Sequence, residues 1–341
     1  MRPVLTAALD VREHTGSDVL DLLGVRFDEL ADRLEVPLTS QRPWLTAWIS
    51  AYPSCRPRVI GAWDGQELVG ACLLAERDVG PGVEIVNLGH GRNDRSHLLA
   101  GEDAVADALA AGIARRLRAL GCPWSLRIEQ VAPGDPVATA LVARLPEVSI
   151  VAGGSVPGVD FMRDRAVGTH LSKNLRRQLQ KSRNRIATDG LDLTMEFTRA
   201  RHQLLAQMDE IESVHRTRDH DVGRTSDIDD AAGRHLWRTV VASAIERDQV
   251  EIATLRIDGV LVAYVISFLD RSTYRVFDGR FVTQWARYSP GRLLEVETLT
   301  RALGDERFTS LDWMNSIAPD KLISANMLEP TVHVIGSSPP A

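Results

Sequence analysis

Apolar and polar positions along the chain fall into short runs that come in pairs. Arg58-Val-Ile-Gly-Ala-Trp63 is followed by Asp64-Gly65 and then by Glu67-Leu-Val-Gly-Ala-Cys-Leu-Leu-Ala75. Asp-Gly between two apolar runs predicts a β-hairpin, because tight hairpin turns need left-handed backbone. A third strand is predicted at Val83–Leu88, a helix over about Glu102–Leu120, and a further strand at Trp124–Glu129. The same order recurs later. Val250–Ile257, Asp258-Gly259 and Val260–Phe268 form a second predicted hairpin, followed by a strand at Thr273–Asp278, a helix over Pro290–Leu303 and a strand at Ser310–Trp313. One shared hairpin would be coincidence. Five elements in the same order point to duplication. The fold class read from this pattern is α/β: two tandem domains, each a mixed, mostly antiparallel sheet flanked by helices. The Gly/Pro-marked stretch Gly153–Gly158 sets the boundary. The domains are thus residues 1–155 and 156–335, with 336–341 as a disordered tail.

Between the halves, Thr169–Ile186 has helical periodicity, with Leu171, Leu175 and Leu179 on one stripe and Asp189-Gly190 at its end. Lys173, Arg177 and Lys181 recur every fourth residue on another face, joined by Arg176, Arg183 and Arg185, with no acid before Asp189. Two readings stay open for this helix. It is a solvated face that docks on acidic residues of the other domain, or it is a contact surface for phosphates or RNA through Lys173, Arg176, Arg177 and Lys181.

The loop before the last helix, Arg287-Tyr288-Ser289-Pro290-Gly291-Arg292, carries the clearest candidate chemistry. Ser289 suits an N-cap and Pro290 the first helical position. Gly291 permits close approach of a backbone or ligand. A helix N-terminus offers free N–H groups and a positive dipole end, which suit a phosphate. Arg287, Tyr288 and Arg292 strengthen that reading. The counterpart in the first half, Gly89-His-Gly-Arg-Asn-Asp94, lacks the Ser-Pro pair and reads as a degenerate site. Asp278 and Asp312 lie in or at the end of strands flanking the donor helix and are catalytic candidates, with His215 as a third. His90, Arg92, Asp94, Asp219 and Lys321 are candidates for the acceptor side. Trp44 and Trp48 are at helical spacing and are expected in the core.

Composition narrows these options. The chain has 341 residues, 44% hydrophobic and 25% charged, with a net charge of −6. That balance suits a soluble globular protein and does not draw it to DNA or anionic membrane. No apolar run reaches the ~20 residues that span a bilayer. The N-terminus lacks a signal-peptide core. Three cysteines without metal spacing fit a reduced cytoplasm and core packing. His215 and His220 alone do not make a zinc site, and no metal is expected.

The tandem order resembles the GNAT acyltransferase fold. Lys181-Ser-Arg-Asn-Arg-Ile-Ala-Thr-Asp-Gly190, Val262-Ala263 on the hairpin's return strand, and Tyr288-Ser-Pro-Gly-Arg-Leu-Leu294 are similar to the CelD/BcsL-type acetyltransferase family, a tandem-GNAT relative of the Fem-type peptidyltransferases. The resemblance covers about residues 25–325. The chain departs from it after Trp313: relatives usually follow this strand with a glycine-containing turn and a Tyr-Lys pair, whereas Met314–Lys321 has no tyrosine. The resemblance implies N-acyl transfer from an activated, phosphate-bearing donor to the amine of a small molecule, with acyl-CoA as the favoured co-substrate. Two alternatives remain: a Fem-like transferase that uses aminoacyl-tRNA, with the basic helix gripping RNA, and a binding module whose donor site has decayed.

Overall fold

A computed structural model of the protein describes residues 9–163, 165–314 and 324–339. The chain divides into two units, residues 1–155 with 330–341, and residues 156–329.

The first unit runs β1 (Asp10–Thr15), α1 (Ser17–Leu22), α2 (Val25–Arg33), α3 (Arg42–Ala51), β2 (Arg56–Asp64), β3 (Glu67–Val79), β4 (Gly82–Asn87), β5 (Leu99–Ala100), α4 (Asp103–Ala119), β6 (Trp124–Val131), α5 (Pro136–Arg144) and the first part of β7 (Val148–Asp160). The strand order is β1-β2-β3-β4-β6, and the returning C-terminal strand lies beyond β6. Only β4 and β6 pair in parallel among the first five, because α4 carries the chain back between them. One apolar stripe of α4, including Val105, Leu109, Ile113 and Leu117, is buried with Ile60, Leu74, Leu126 and Ile128 of the sheet. Trp44 and Trp48 are buried on α3.

The second unit continues with α6 (Val167–His170), α7 (Lys173–Thr188), β8 (Leu193–Thr198), α8 (Arg201–Asp221), α9 (Ala231–Glu246), β9 (Val250–Ile257), β10 (Val260–Asp270), β11 (Thr273–Phe281), a 3-10 turn at Thr283–Tyr288, α10 (Pro290–Gly304), β12 (Ser310–Asp312) and the start of β13 (Met327–Ser337). Its order is β8-β9-β10-β11-β12 followed by the end of β7. β11 and β12 are the parallel pair, again joined through a helix, α10. Leu293, Leu294, Leu299 and Leu303 of α10 and Leu171, Leu175 and Leu179 beside them share one core with β9, β10 and β11. The order hairpin, strand, helix, strand therefore occurs twice, as the apolar pattern predicts.

Three points bear on the sequence expectations. The units divide between Ser155 and Val156, inside the Gly153–Gly158 stretch, and that stretch is part of β7. The glycines there permit tight strand packing: a Cβ on Gly153 would lie 2.7 Å from Thr331 Oγ1, and one on Gly158 3.0 Å from the Leu311 carbonyl. The tail does not begin at 336, since Gly336 and Ser337 pair with Leu126 and Ser125. The two hairpins match less closely than their Asp-Gly pairs imply. Asp258-Gly259 is the two-residue loop of the second, whereas in the first Asp64 still pairs with Glu67 and the loop is Gly65-Gln66.

Candidate active site

His215 and Asp219 lie one turn apart on α8, so both side chains leave the same helical face. That helix covers β10 and β11. Tyr264 on β10 is directly opposite Arg280 on β11, and Asp278 lies two residues before Arg280, on the same face. A β-bulge sits at this point. Ile266 pairs with Asp278 but Ser267 pairs with Val276, leaving Phe277 as the extra residue. The bulge re-aims the strand beside the cluster.

Asp278 is the hub. Its Oδ2 accepts from Tyr264 Oη at 2.8 Å and Trp237 Nε1 at 3.1 Å, and lies 3.0 Å from His215 Nδ1. Its Oδ1 accepts from Arg280 at 2.8 Å. The other nitrogen of His215, Nε2, is 3.1 Å from Asp219, whose carboxylate also accepts from Arg280 Nε at 2.9 Å. Trp237 meets the His215 ring edge-on, with centroids 6.1 Å apart. His215, Asp219, Asp278, Tyr264 and Trp237 are all buried. Burial by itself would raise the pKa of Asp278. The Arg280 charge, with His215 and the Tyr264 hydroxyl, reverses this and holds the carboxyl well below the usual range. Burial drives the Tyr264 phenol in the opposite direction, well above its ordinary value, and the Asp278 charge adds to the rise. The site thus sets a buried imidazole between two carboxylates, Asp278 on Nδ1 and Asp219 on Nε2, which fixes the orientation of the ring.

Of the predicted residues, His215, Asp219 and Asp278 come together here. Tyr264, Trp237 and Arg280 were not read from the sequence. The visible signal was a tyrosine inside the apolar run Val262–Ile266 and an arginine two residues after Asp278. Asp312 is elsewhere: it pairs with Arg275, which also donates to Asp270 at 2.7 Å, and its Oδ1 accepts the Met314 N–H at 2.8 Å.

The Arg275–Asp312 position is also where the parallel ladder stops. β11 pairs with β12 only from Thr273 to Arg275, then runs on to Phe281. Among the described residues no strand pairs with that side of β11 past Arg275. The open edge leads through the 3-10 turn to the N-terminus of α10. There the expected cap is absent. Ser289 adopts left-handed backbone, φ 53° and ψ 47°, and makes no side-chain cap bond. Its N–H bonds to the Ala286 carbonyl at 3.0 Å, so the 3-10 turn, not a cap, delivers the chain into the helix. Gly291 packs on a ring: a Cβ there would lie 2.9 Å from Phe281 Cδ1. Arg287 pairs with Asp189, which also accepts from Tyr288 Oη at 2.7 Å. Arg292 pairs with Glu295 at 2.9 Å.

The basic helix docks within its own unit. Arg183 meets Glu297 of α10 at 2.5 Å, and Arg185 donates to the Arg287 carbonyl. Ser172 caps α7 by accepting the Leu175 N–H at 3.1 Å. Lys173, Arg176, Arg177 and Lys181 are exposed and make no side-chain bond among the described residues.

In the first unit the segment after β4 fills the place where, among the described residues, no strand pairs in the second. The Ser96 N–H bonds to the Gln130 carbonyl at 2.8 Å, and Ser96 forms a parallel bridge with Val131, extending the β6 ladder. Asn87 Oδ1 accepts the Glu129 N–H at 3.0 Å, and Asn87 and Asn93 both donate to Ser96 Oγ, at 2.9 and 2.5 Å. His90 Nδ1 lies 3.1 Å from Glu129, Arg92 donates to Tyr52 Oη at 3.0 Å, and Asp94 is buried. Lys321 lies outside the described residues. Among those described, no group of three or more His, Cys, Asp or Glu side chains could hold a metal, and no helix is long and apolar enough to cross a membrane.

Residues 173–321 match the family described as Acetyltransferase (GNAT) domain. No curated protein sequence matches the chain. Among solved structures, FemX superposes with a TM-score of 0.64 at 9% identity, over 92% of this chain and 96% of its own. A tandem GNAT protein from the clavulanic acid biosynthesis pathway gives 0.50 at 13% identity, over 97% and 100%. L-PGS from Bacillus licheniformis gives 0.50 at 12%, over 85% and 90%. These likenesses are of fold, and they extend the duplicated architecture over nearly the whole chain.

Proposed function

We propose that this chain, an acyltransferase whose second unit is a GNAT domain, moves an acyl group from acyl-CoA to the amine of a small molecule. The observation that carries the reading is the opened edge of β11. Its ladder with β12 ends at Arg275, no strand among the described residues pairs with that side of β11 beyond it, and the strand leads to the N-terminus of α10. An extended donor arm with amide groups pairs with such an edge as an added strand would. Its phosphates then reach the helix N-terminus. In this reading backbone N–H groups of β11 stabilise the oxyanion that forms when the amine attacks the thioester carbonyl. The carbon–nitrogen bond forms, the carbon–sulfur bond breaks, and the amine proton must leave. In this reading the buried His215–Asp219 pair takes it, with Asp278 holding Nδ1.

The test is acyl transfer to a panel of amines, followed by mass spectrometry. His215→Gln and Asp278→Asn should lower kcat about a hundredfold or more in protein that remains folded. Asp312→Asn, which loosens the contacts with Arg275 and the Met314 N–H away from the His215 cluster, should lower stability and leave kcat of the folded fraction within a few-fold. Equal effects of all three on kcat would remove His215 and Asp278 from the mechanism.

One observation supports a second donor. The exposed Lys173, Arg176, Arg177 and Lys181, without side-chain partners among the described residues, form a surface suited to an RNA backbone, so aminoacyl-tRNA is the alternative donor. Binding of tRNA that weakens steeply with salt, and is lost on charge reversal at Arg176, Arg177 and Lys181 in still-folded protein, would favour it. Unchanged acyl-CoA turnover in that variant would leave the first reading in place.

A further inference from the structure

Arg218 stands apart from the other arginines around the α10 turn. It lies on α8, three residues after His215, and is half-buried. Its guanidinium lies 4.1 Å from the centroid of the Phe281 ring, and its NH1 donates to Thr283 Oγ1 at 3.0 Å. Those two contacts fix it at the end of β11 and the start of the 3-10 turn. Among the described residues no carboxylate pairs with it. Its neighbours in function are all committed. Arg287 is held by Asp189, Arg292 by Glu295, and Arg280 by both Asp219 and Asp278. Arg185 is tied to the Arg287 carbonyl.

The platform matters as much as the charge. A cation laid on an aromatic face is partly desolvated, and a planar guanidinium in that pose keeps its remaining N–H groups in one plane for a second acceptor. The same Phe281 ring packs against Gly291, the second residue of α10. One ring therefore joins the uncommitted arginine to the helix terminus where the donor reading places phosphate.

We propose that Arg218, rather than Arg287 or Arg292, is the side chain that binds the anionic part of the donor, using the Phe281 ring as its platform. The proposal rests on the donor reading above. It assigns Arg218 an ion pair with a phosphate oxygen, formed without breaking an existing salt bridge. Arg287 and Arg292 would each have to leave a carboxylate to do the same, which offsets the gain.

Calorimetric titration with coenzyme A tests it. Arg218→Gln should weaken coenzyme A binding about tenfold or more, as expected for loss of one charge-assisted pair. Arg287→Gln and Arg292→Gln should each weaken it less than about threefold. Phe281→Leu keeps the charge and removes the platform, and should also weaken binding. Arg218→Lys should recover only part of it, since an ammonium lacks the planar fork. In turnover, Arg218→Gln should raise the donor KM and leave the acceptor KM unchanged. Thermal melts of each variant show that the comparison is between folded proteins. If wild-type protein binds coenzyme A and Arg218→Gln binds it equally well, the proposal falls and the donor reading stands. If wild-type protein does not bind coenzyme A at all, both fall together.

Discussion

Two buried aspartates show how neighbours, not burial, decide the charge of a carboxyl group. Asp135 caps α5 by accepting the Ala138 N–H at 2.9 Å, and its other partners are also backbone N–H groups. With no cation beside it, burial prevails and lifts its pKa to about 6. Asp278 is equally hidden, yet Arg280 and His215 hold it below the usual range. The consequences for stability have opposite signs. Asp135 binds its proton more tightly when folded, so its contribution is fully present below about pH 3.9, the unfolded value, and is lost as pH rises through about 6. Asp135→Asn keeps the cap and removes the charge. It should stabilise the protein at pH 7.5 by on the order of 2 kcal/mol relative to its effect at pH 4, measured by urea unfolding at both. An effect that does not change with pH would contradict the assignment. Asp278 contributes above about pH 3.9 and loses its contribution as pH falls towards its lowered folded value. The cost of Asp278→Asn should therefore be largest near neutrality and shrink below about pH 4. At this scale the sequence exposed Asp278 as an acid ending a strand beside the donor helix, and His215 and Asp219 as a polar cluster at the end of a helix. It did not show Tyr264, Trp237 and Arg280 as their partners. That grouping depends on a one-residue bulge and on where α8 and α9 land, neither of which leaves a local mark.

The helix that follows β11 was the most legible element and the most instructive error. Its span was readable from period and from Pro290, and the observed helix ends within one residue of the reading. Its entry was not. Ser-Pro before an apolar run is the signature of a capped start, but Ser289 sits in left-handed backbone with its side chain unused. The preceding 3-10 turn has already set the direction of the chain, and tertiary geometry overrides the local preference. Two substitutions separate the possibilities. A working cap would lose about 1 kcal/mol on change to alanine. Ser289→Ala should instead shift stability by less than ~0.5 kcal/mol. Ser289→Gly should stabilise by roughly 0.5–1 kcal/mol, because glycine bears left-handed backbone without steric cost. A clear loss with alanine, read from thermal melts, would restore the cap. The basic helix was legible in the same partial way. Its buried leucine stripe followed from spacing, but its docking partner did not: Glu297 and a backbone carbonyl of its own unit hold it.

Across the whole molecule, duplication was legible because hairpins and amphipathic helices repeat in order, while the return of the C-terminal strand to the first unit was not. Glycine and proline ordinarily punctuate loops. Here they lie inside β7, where small residues let strands approach, and the sequence pattern of the two cases is the same. The C-terminal strand makes the division still less local. Residues 330–337 belong to the first unit, where Val332, Val334 and Ile335 pair with Val131, Ile128 and Arg127 of β6, and Val334 is fully buried. A chain ending at Glu329 would leave one edge of β6 unpaired and empty the place that Val334 fills. Losing a buried valine and a strand's ladder removes several kcal/mol, a large part of the margin on which a domain folds. Such a truncation should destabilise the first unit first. Hydrogen exchange would report it as faster exchange in β2, β3 and β6, with β9 and β10 of the second unit still protected. With the first unit expressed alone, residues 330–341 fused after residue 155 should restore protection, whereas residues 1–155 without them should not hold a stable fold. Protection in β2 and β3 that is indifferent to the presence of 330–341 would show that the first unit is complete without its last strand.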